Sequence, residues 1–530
     1  MTRTQLAHAA CVAAASLACA AQAEITQLNI TSTQPFGDFS TGRYVRIEAE
    51  ARGSLAPNEA IPGLDRAPRN AARRVEYSTP VTILFPEKPG AGNGALLVDV
   101  PNRGRAISHG LYNSPRSRPI AVGSLDTGTG FLEERGFSIV VVHWELGEGP
   151  QLPTFAGAGG RKLYAEGVGF AAVRDVALFL RDAPADRNPL AGRIERMYAA
   201  GYSQTARFLK SFLANGFNEA GGRRVFDGLH IINAAGGGMP LLDAGPGPGS
   251  VAWETPGHAN PEHRGVHEFP FTWADVMRSE RASYRAWPKI IVNNTYNDYL
   301  GGRAALVRTG SHGTADLPIP DTVRIYDVSG APHINGRARN PECGEGPGQL
   351  DWSPALRAEL VALDDWVRGK SPPPASRLFN LEVRAGDKEV LHAPVYLNGA
   401  VVKVPSRDGG GNAQSGLVLP DVAVPIASHG FMNSPLTNMA CRQSGAYRPF
   451  AATAADRKAK DDARPSLEEL YPGGVNEYVA KVRLAAHALV EERLLLPEDA
   501  AVIVNAAAEN PAFAPTRPRA RGATPPPTSR

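Results

Sequence analysis

Arg196-Met197-Tyr198-Ala199-Ala200-Gly201-Tyr202-Ser203-Gln204-Thr205-Ala206-Arg207-Phe208 is the stretch on which the reading turns. Met197 to Ala200 is a short apolar run that suits a buried strand. Phe208, Leu209 and Phe212 then start a helical period that ends near Asn215-Gly216. Gly201-Tyr202-Ser203-Gln204-Thr205 lies between them, in a strand–turn–helix slot. A sharp turn there lifts a serine hydroxyl above the sheet, and it requires small residues two before and two after the serine. Gly201 meets this requirement. Thr205 stands where a second glycine is usual, with Ala206 next. The same turn would aim the Gln204 N–H at the place where an oxyanion forms on an attacked carbonyl.

Outward from this turn, strands and helices alternate. Ala95-Leu96-Leu97-Val98-Asp99-Val100 and Phe137-Ser138-Ile139-Val140-Val141-Val142 are near-continuous apolar runs, as expected of strands buried on both faces of a parallel sheet. A helical period follows over residues 164–182. Further strands are expected at Leu229-His230-Ile231-Ile232-Asn233-Ala234, Lys289-Ile290-Ile291-Val292-Asn293-Asn294 and Val323-Arg324-Ile325-Tyr326-Asp327-Val328. A helix then opens at Ser353-Pro354, with Ser as N-cap. This order predicts an α/β fold with a mostly parallel, doubly wound sheet. The expected core covers residues 76–375 and is preceded by a strand region over 24–75, including Tyr44-Val45-Arg46-Ile47-Glu48-Ala49. Residues 237–287 lack periodicity and read as a lid insertion. Residues 376–505 form a C-terminal extension packed on the core, with Tyr478, Val482, Ala485 and Leu489 on one helix face. Residues 506–530, rich in Pro and Arg, read as a disordered tail.

A serine needs a base, and the base needs an orienting carboxylate. In such a sheet the acid sits past the strand two after the turn, and the histidine past the last strand. Asp298 and His333 stand at those positions. Asp327 competes with Asp298 but lies inside its strand. His312 competes with His333 from a polar loop. The second oxyanion donor is expected as a backbone N–H at Arg103 or Gly104, in the loop Pro101-Asn102-Arg103-Gly104-Arg105, where glycine permits close approach. Gly236-Gly237-Gly238 follows the wrong strand for that role. Tyr202, Trp253, Phe269, Phe271 and Trp273 are the candidates for a substrate pocket. His258, His263 and His267, with Glu262 and Glu268, match no common metal-ligand spacing, and no metal or other cofactor is expected.

The chain's 530 residues carry a formal net charge of +3, from 56 basic and 53 acidic side chains, which excludes a strongly basic nucleic-acid binder. Residues 1–23 read as a signal peptide. Arg3 supplies the positive end, residues 9–21 an apolar run too short to span a membrane, and Ala21-Gln22-Ala23 the cleavage site. A periplasmic or secreted protein without stable membrane insertion is therefore expected. Cleavage removes Cys11 and Cys19 and leaves Cys343 and Cys441 as a candidate disulfide. Ser108-His109-Gly110-Leu111-Tyr112-Asn113-Ser114-Pro115 is echoed by Ser428-His429-Gly430-Phe431-Met432-Asn433-Ser434-Pro435, by default a coincidence.

Together these residues resemble the α/β-hydrolase superfamily, and more narrowly the large bacterial exported proteins called alpha/beta hydrolase domain-containing. The resemblance runs over roughly residues 40–505. It rests on Asn102-Arg103-Gly104, Arg135-Gly136-Phe137, Ala172-Val173-Arg174-Asp175-Val176, Gly201-Tyr202-Ser203-Gln204, Asn293-Asn294-Thr295 leading to Asp298-Tyr299, Tyr447-Arg448-Pro449-Phe450 and Arg464-Pro465-Ser466-Leu467-Glu468-Glu469. It implies that Ser203 is the nucleophile and His333 the base, with Asp298 at a position where the family commonly has Glu. The expected function is hydrolysis of a carboxylic ester, small or oligomeric, through an acyl-enzyme. Acyl transfer by the same serine, or a non-catalytic exported binding protein permitted by the altered turn, are the alternatives.

Overall fold

The computed structural model describes residues 24–156, 162–165, 167–239, 272–273, 276, 286–310, 313–335, 339–384 and 403–513. Outside them fall the expected signal peptide, most of the 237–287 insertion with Trp253, Phe269 and Phe271, the histidines 258, 263, 267 and 312, and the chain beyond Phe513.

One nine-stranded sheet organises the molecule. In chain order its strands are Glu24–Phe39 (β1), Gly42–Leu55 (β2), Val75–Pro86 (β3), Ala95–Asp99 (β4), Ser138–Val142 (β5), Arg196–Tyr202 (β6), Gly228–Ile232 (β7), Lys289–Thr295 (β8) and Val323–Val328 (β9). Their spatial order is β1-β2-β3-β5-β4-β6-β7-β8-β9. β1, β2, β3 and β5 pair antiparallel. From β5 to β9 every pairing is parallel. The region 24–75 is thus the antiparallel edge of the same sheet.

The parallel strands read as unbroken apolar runs because each feeds two cores. In β4, Leu96 and Val98 enter one core while Ala95 and Leu97 enter the other. In β6, Met197 and Ala199 oppose Tyr198, Ala200 and Tyr202 in the same way. The first core packs under the helices Gly167–Asp182 (α1) and Gln204–Ala214 (α2), through Phe170, Phe208 and Phe212. The second packs under the helix Ser353–Val367, through Leu356, Leu360 and Leu363. The N-cap of that helix is Trp352 rather than Ser353; the proline sits in its first turn as expected.

The extension continues the sheet edge and then forms its own small core. Arg377 and Leu417 bridge to Tyr326 and Val328 of β9. Helices Gly474–Glu491 and Pro497–Ala508 bury Tyr478, Val482, Ala486 and Ile503. A buried ion pair, Arg357 with Asp499, joins the Ser353–Val367 helix to the second of them at 2.6 Å. The fold passes the expected boundary at 505: Phe513 stacks on Tyr478 at 4.8 Å between ring centroids. The internal echo is one of sequence only, since Ser108–Tyr112 is a helix turn and Ala427–Phe431 a strand.

Candidate active site

Ser203 sits at the junction of β6 and α2 with φ 57° and ψ −110°, a conformation unusual for a residue with a side chain. Small residues around it are a steric necessity. A Cβ on Gly201 would lie 2.4 Å from the Thr205 carbonyl oxygen. Thr205 is accommodated because its hydroxyl closes the turn: it accepts from the Tyr202 N–H at 2.9 Å and donates to the Tyr202 carbonyl at 3.2 Å. The departure from glycine therefore leaves the turn closed.

The structure brings Ser203, His333 and Asp298 into one hydrogen-bonded chain. His333 Nε2 lies 3.0 Å from Ser203 Oγ, and His333 Nδ1 lies 2.7 Å from Asp298 Oδ1. Asp298 is the third residue of the short helix Tyr296–Gly301 that follows β8, and it forms a capping box with Thr295. Its Oδ2 accepts from the Thr295 N–H at 3.0 Å and from the Thr295 hydroxyl at 2.6 Å. Burial pushes the Asp298 carboxyl up, but His333 and the Thr295 donors outweigh it and hold its pKa below the ordinary value. Asp327 is placed elsewhere. It accepts from Asn294 Nδ2, the Tyr299 hydroxyl and the Phe379 N–H at 3.0, 2.7 and 3.0 Å. Burial raises its pKa more than Arg308 and these donors lower it.

Three side chains to which sequence reasoning gave no such role hold His333 in place. The Tyr202 hydroxyl donates to the His333 carbonyl at 2.6 Å, and its ring stacks on the imidazole at 5.4 Å. Asn233 Nδ2 donates to the same carbonyl at 3.1 Å, and Asn297 Oδ1 accepts from the His333 N–H at 3.1 Å. Asn233 has φ 59°, a strained value that marks the end of β7 as a shaped loop. Tyr202 was expected in the substrate pocket and instead braces the histidine. Trp273, another expected pocket residue, is buried in the first core; it does not line the cavity beside Ser203.

That cavity is lined by Arg103, Ser203, Arg207, Ala235, Asn297, Asp298 and His333 on the core side, and by Met432, Met439 and Arg442 on the extension side. It opens past the carboxyl ends of β6, β7, β8 and β9, where ligands bind in sheets of this type. The Gln204 N–H opens α2, whose first-turn donors have no partners within the helix. The expected second donor is not free: the Arg103 N–H donates to Gln204 Oε1 at 3.1 Å. The Gln204 side chain is itself fixed through Nε2 to Glu145 at 2.7 Å. Gly104 does not line the cavity; a Cβ there would strike the Glu148 carboxylate at 2.4 Å.

Cys343 and Cys441 are bridged, with their Cα atoms 5.4 Å apart. The bridge fastens the extension beside the histidine loop, where the Ile334 N–H also donates to the Gln443 carbonyl at 3.0 Å. Among the described residues no group of three or more His, Cys, Asp or Glu could hold a metal ion. Among them no helix is long and apolar enough to cross a membrane.

A family model described as an alpha/beta hydrolase domain matches residues 133–505. No curated protein matches. Among solved structures, a fungal esterase from Rhizomucor miehei is similar at 12% identity, with 56% of this chain and 81% of that chain covered and a TM-score of 0.27. The rice cell wall degrading esterase LipA from Xanthomonas oryzae is similar at 12% identity, with 56% and 90% covered and a TM-score of 0.26.

Proposed function

The chain belongs to the alpha/beta hydrolase domain family, and from that premise we propose that it is a serine hydrolase cleaving a carboxylic ester, with Ser203 as nucleophile, His333 as base and Asp298 as the orienting acid. The observation that carries the reading is the relay from Asp298 Oδ1 through the imidazole to Ser203 Oγ, 2.7 and 3.0 Å long, on a strained turn facing a cavity.

Ser203 Oγ attacks the ester carbonyl and His333 Nε2 takes its proton. The ionised Asp298 holds the ring with Nδ1 protonated and stabilises the imidazolium that forms. The oxyanion forms before the Gln204 N–H, at the positive end of α2. Arg103 borders the same space, and its N–H becomes a second donor if it exchanges the Gln204 side chain for the oxyanion. His333 then gives its proton to the departing alcohol, leaving an acyl group on Ser203. Water repeats the sequence and releases the acid. The proposal includes export: residues 1–23 have the pattern of a cleaved signal peptide, and a disulfide persists in an oxidising compartment.

The test is ester turnover by Ser203→Ala. A folded variant should lose about three orders of magnitude or more in kcat. A folded variant that hydrolyses esters at the wild-type rate sinks the assignment.

A further inference from the structure

Among the described residues, the cavity beside Ser203 is lined by four arginines, Arg103, Arg207, Arg303 and Arg442, and by one carboxylate, that of Asp298. That carboxylate is already committed through both oxygens, to His333 and to Thr295.

Arg442 stands apart from the other three. It belongs to the short helix Met439–Ser444 of the extension, directly after Cys441, and lines the cavity from the extension. Its Nη1 donates to the Leu436 carbonyl at 2.9 Å. No carboxylate among the described residues pairs with it. Three other part-buried or buried arginines are each matched by an acid: Arg116 by Asp421, Arg357 by Asp499 and Arg448 by Glu345. Burial pushes the Arg442 guanidinium below its ordinary pKa. A guanidinium partly withdrawn from water, with no carboxylate beside it among the described residues, favours an anion in the space it borders. The guanidinium is planar, so it can grip a carboxylate through two parallel hydrogen bonds.

Resting on the reading of Ser203 as nucleophile, we infer that the substrate is an ester carrying an anionic group, a carboxylate or a similar oxyanion, and that Arg442 selects for it. The fold supplies a reason for the extension and its disulfide: they place this cation on the wall of the cavity that holds the nucleophile.

The experiment uses two fluorophosphonates of equal chain length, one ending in a carboxylate and one in its methyl ester, with the rate of covalent attachment to Ser203 measured for each. Wild-type protein should react about tenfold or more faster with the carboxylate probe, and added salt should shrink that ratio by screening. Arg442→Gln should bring the ratio close to one, and Arg442→Lys should keep part of it. A wild-type ratio of one or less overturns the inference while leaving the nucleophile in place. So does a ratio unaffected by salt, or one that survives in folded Arg442→Gln. If neither probe labels Ser203 in folded wild-type protein, the hydrolase reading fails and the inference falls with it. The salt dependence needs no variant, so a misfolded Arg442→Gln leaves the test intact.

Discussion

Replacing Asp298 by Asn probes the relay at its most constrained point. In the wild-type protein Oδ1 accepts from His333 Nδ1 at 2.7 Å, and Oδ2 accepts from the Thr295 N–H and hydroxyl at 3.0 and 2.6 Å. A backbone N–H can only donate, so an amide at this position must turn its oxygen toward Thr295. Its NH2 then faces His333 Nδ1, which has to accept. The imidazole proton moves to Nε2, and the lone pair that should take the Ser203 proton is lost. The expected cost is about 10³- to 10⁴-fold in kcat, or roughly 4–5.5 kcal/mol of barrier. Asp327→Asn is the control. Its carboxylate serves Asn294, Tyr299 and Phe379, so the change should lower stability by about 1–3 kcal/mol. Turnover per folded molecule should stay within about threefold, since no contact with His333 is lost. Steady-state ester hydrolysis, corrected for the folded fraction by urea titration, reads both. An Asp298→Asn protein that keeps more than about a tenth of wild-type kcat refutes the tautomer argument, as does a larger loss at Asp327.

Three further outcomes are expected. Gly201→Ala forces a Cβ to 2.4 Å from the Thr205 carbonyl oxygen, so the elbow must shift and kcat should fall by about 100-fold; a soluble variant with wild-type kcat contradicts this. His429 is buried with both ring nitrogens lacking a hydrogen-bond partner among the described residues. Burial, helped by Arg116 and opposed by Asp421, lowers its pKa to about 4. The unfolded chain therefore binds more protons between about pH 4 and 6.5, so stability is fully present above that window and falls on acidification through it, by about 3 kcal/mol. Urea titrations across this range should show a flatter pH slope for His429→Leu, and identical slopes would count against it. Reducing the Cys343–Cys441 bridge reopens a span with a sequence separation of 98. On chain-entropy grounds this costs up to about 5 kcal/mol. It should also lower turnover, because Ile334, next to His333, is tied to Gln443; superimposable unfolding curves with and without reductant would refute the first part.

The parallel strands were legible because burial on both faces leaves a run of apolar residues, as in β4 and β6. β1 was not, since register shifts after Ile25, Ile30 and Pro35 break the period of two and most of the strand faces solvent. The order of Ser203, Asp298 and His333 was readable because each follows a strand that could be found. Choosing Asp298 over Asp327 needed only the strand boundary. The residues that brace His333 left no such mark. Tyr202 and Asn233 reach it across 131 and 100 residues of sequence, and only folding makes them neighbours. Tyr202 read as a pocket residue because an aromatic beside a nucleophile suits either role. The arginines were equally silent, being dispersed from 103 to 442 and gathered by the sheet's carboxyl edge and the disulfide. A backbone N–H at Arg103 or Gly104 was expected as oxyanion donor; the Gln204 side chain, which takes the one at Arg103, reaches across from the turn after β6, the neighbour of β4 in the sheet.

The most direct measurement of the central claim is peptide mapping by mass spectrometry after treating folded wild-type protein with a neutral fluorophosphonate. The account predicts a single adduct on Ser203, and slow or absent labelling in His333→Ala. Folded wild-type protein that takes no adduct, or takes it on another residue while Ser203 stays free, would contradict it.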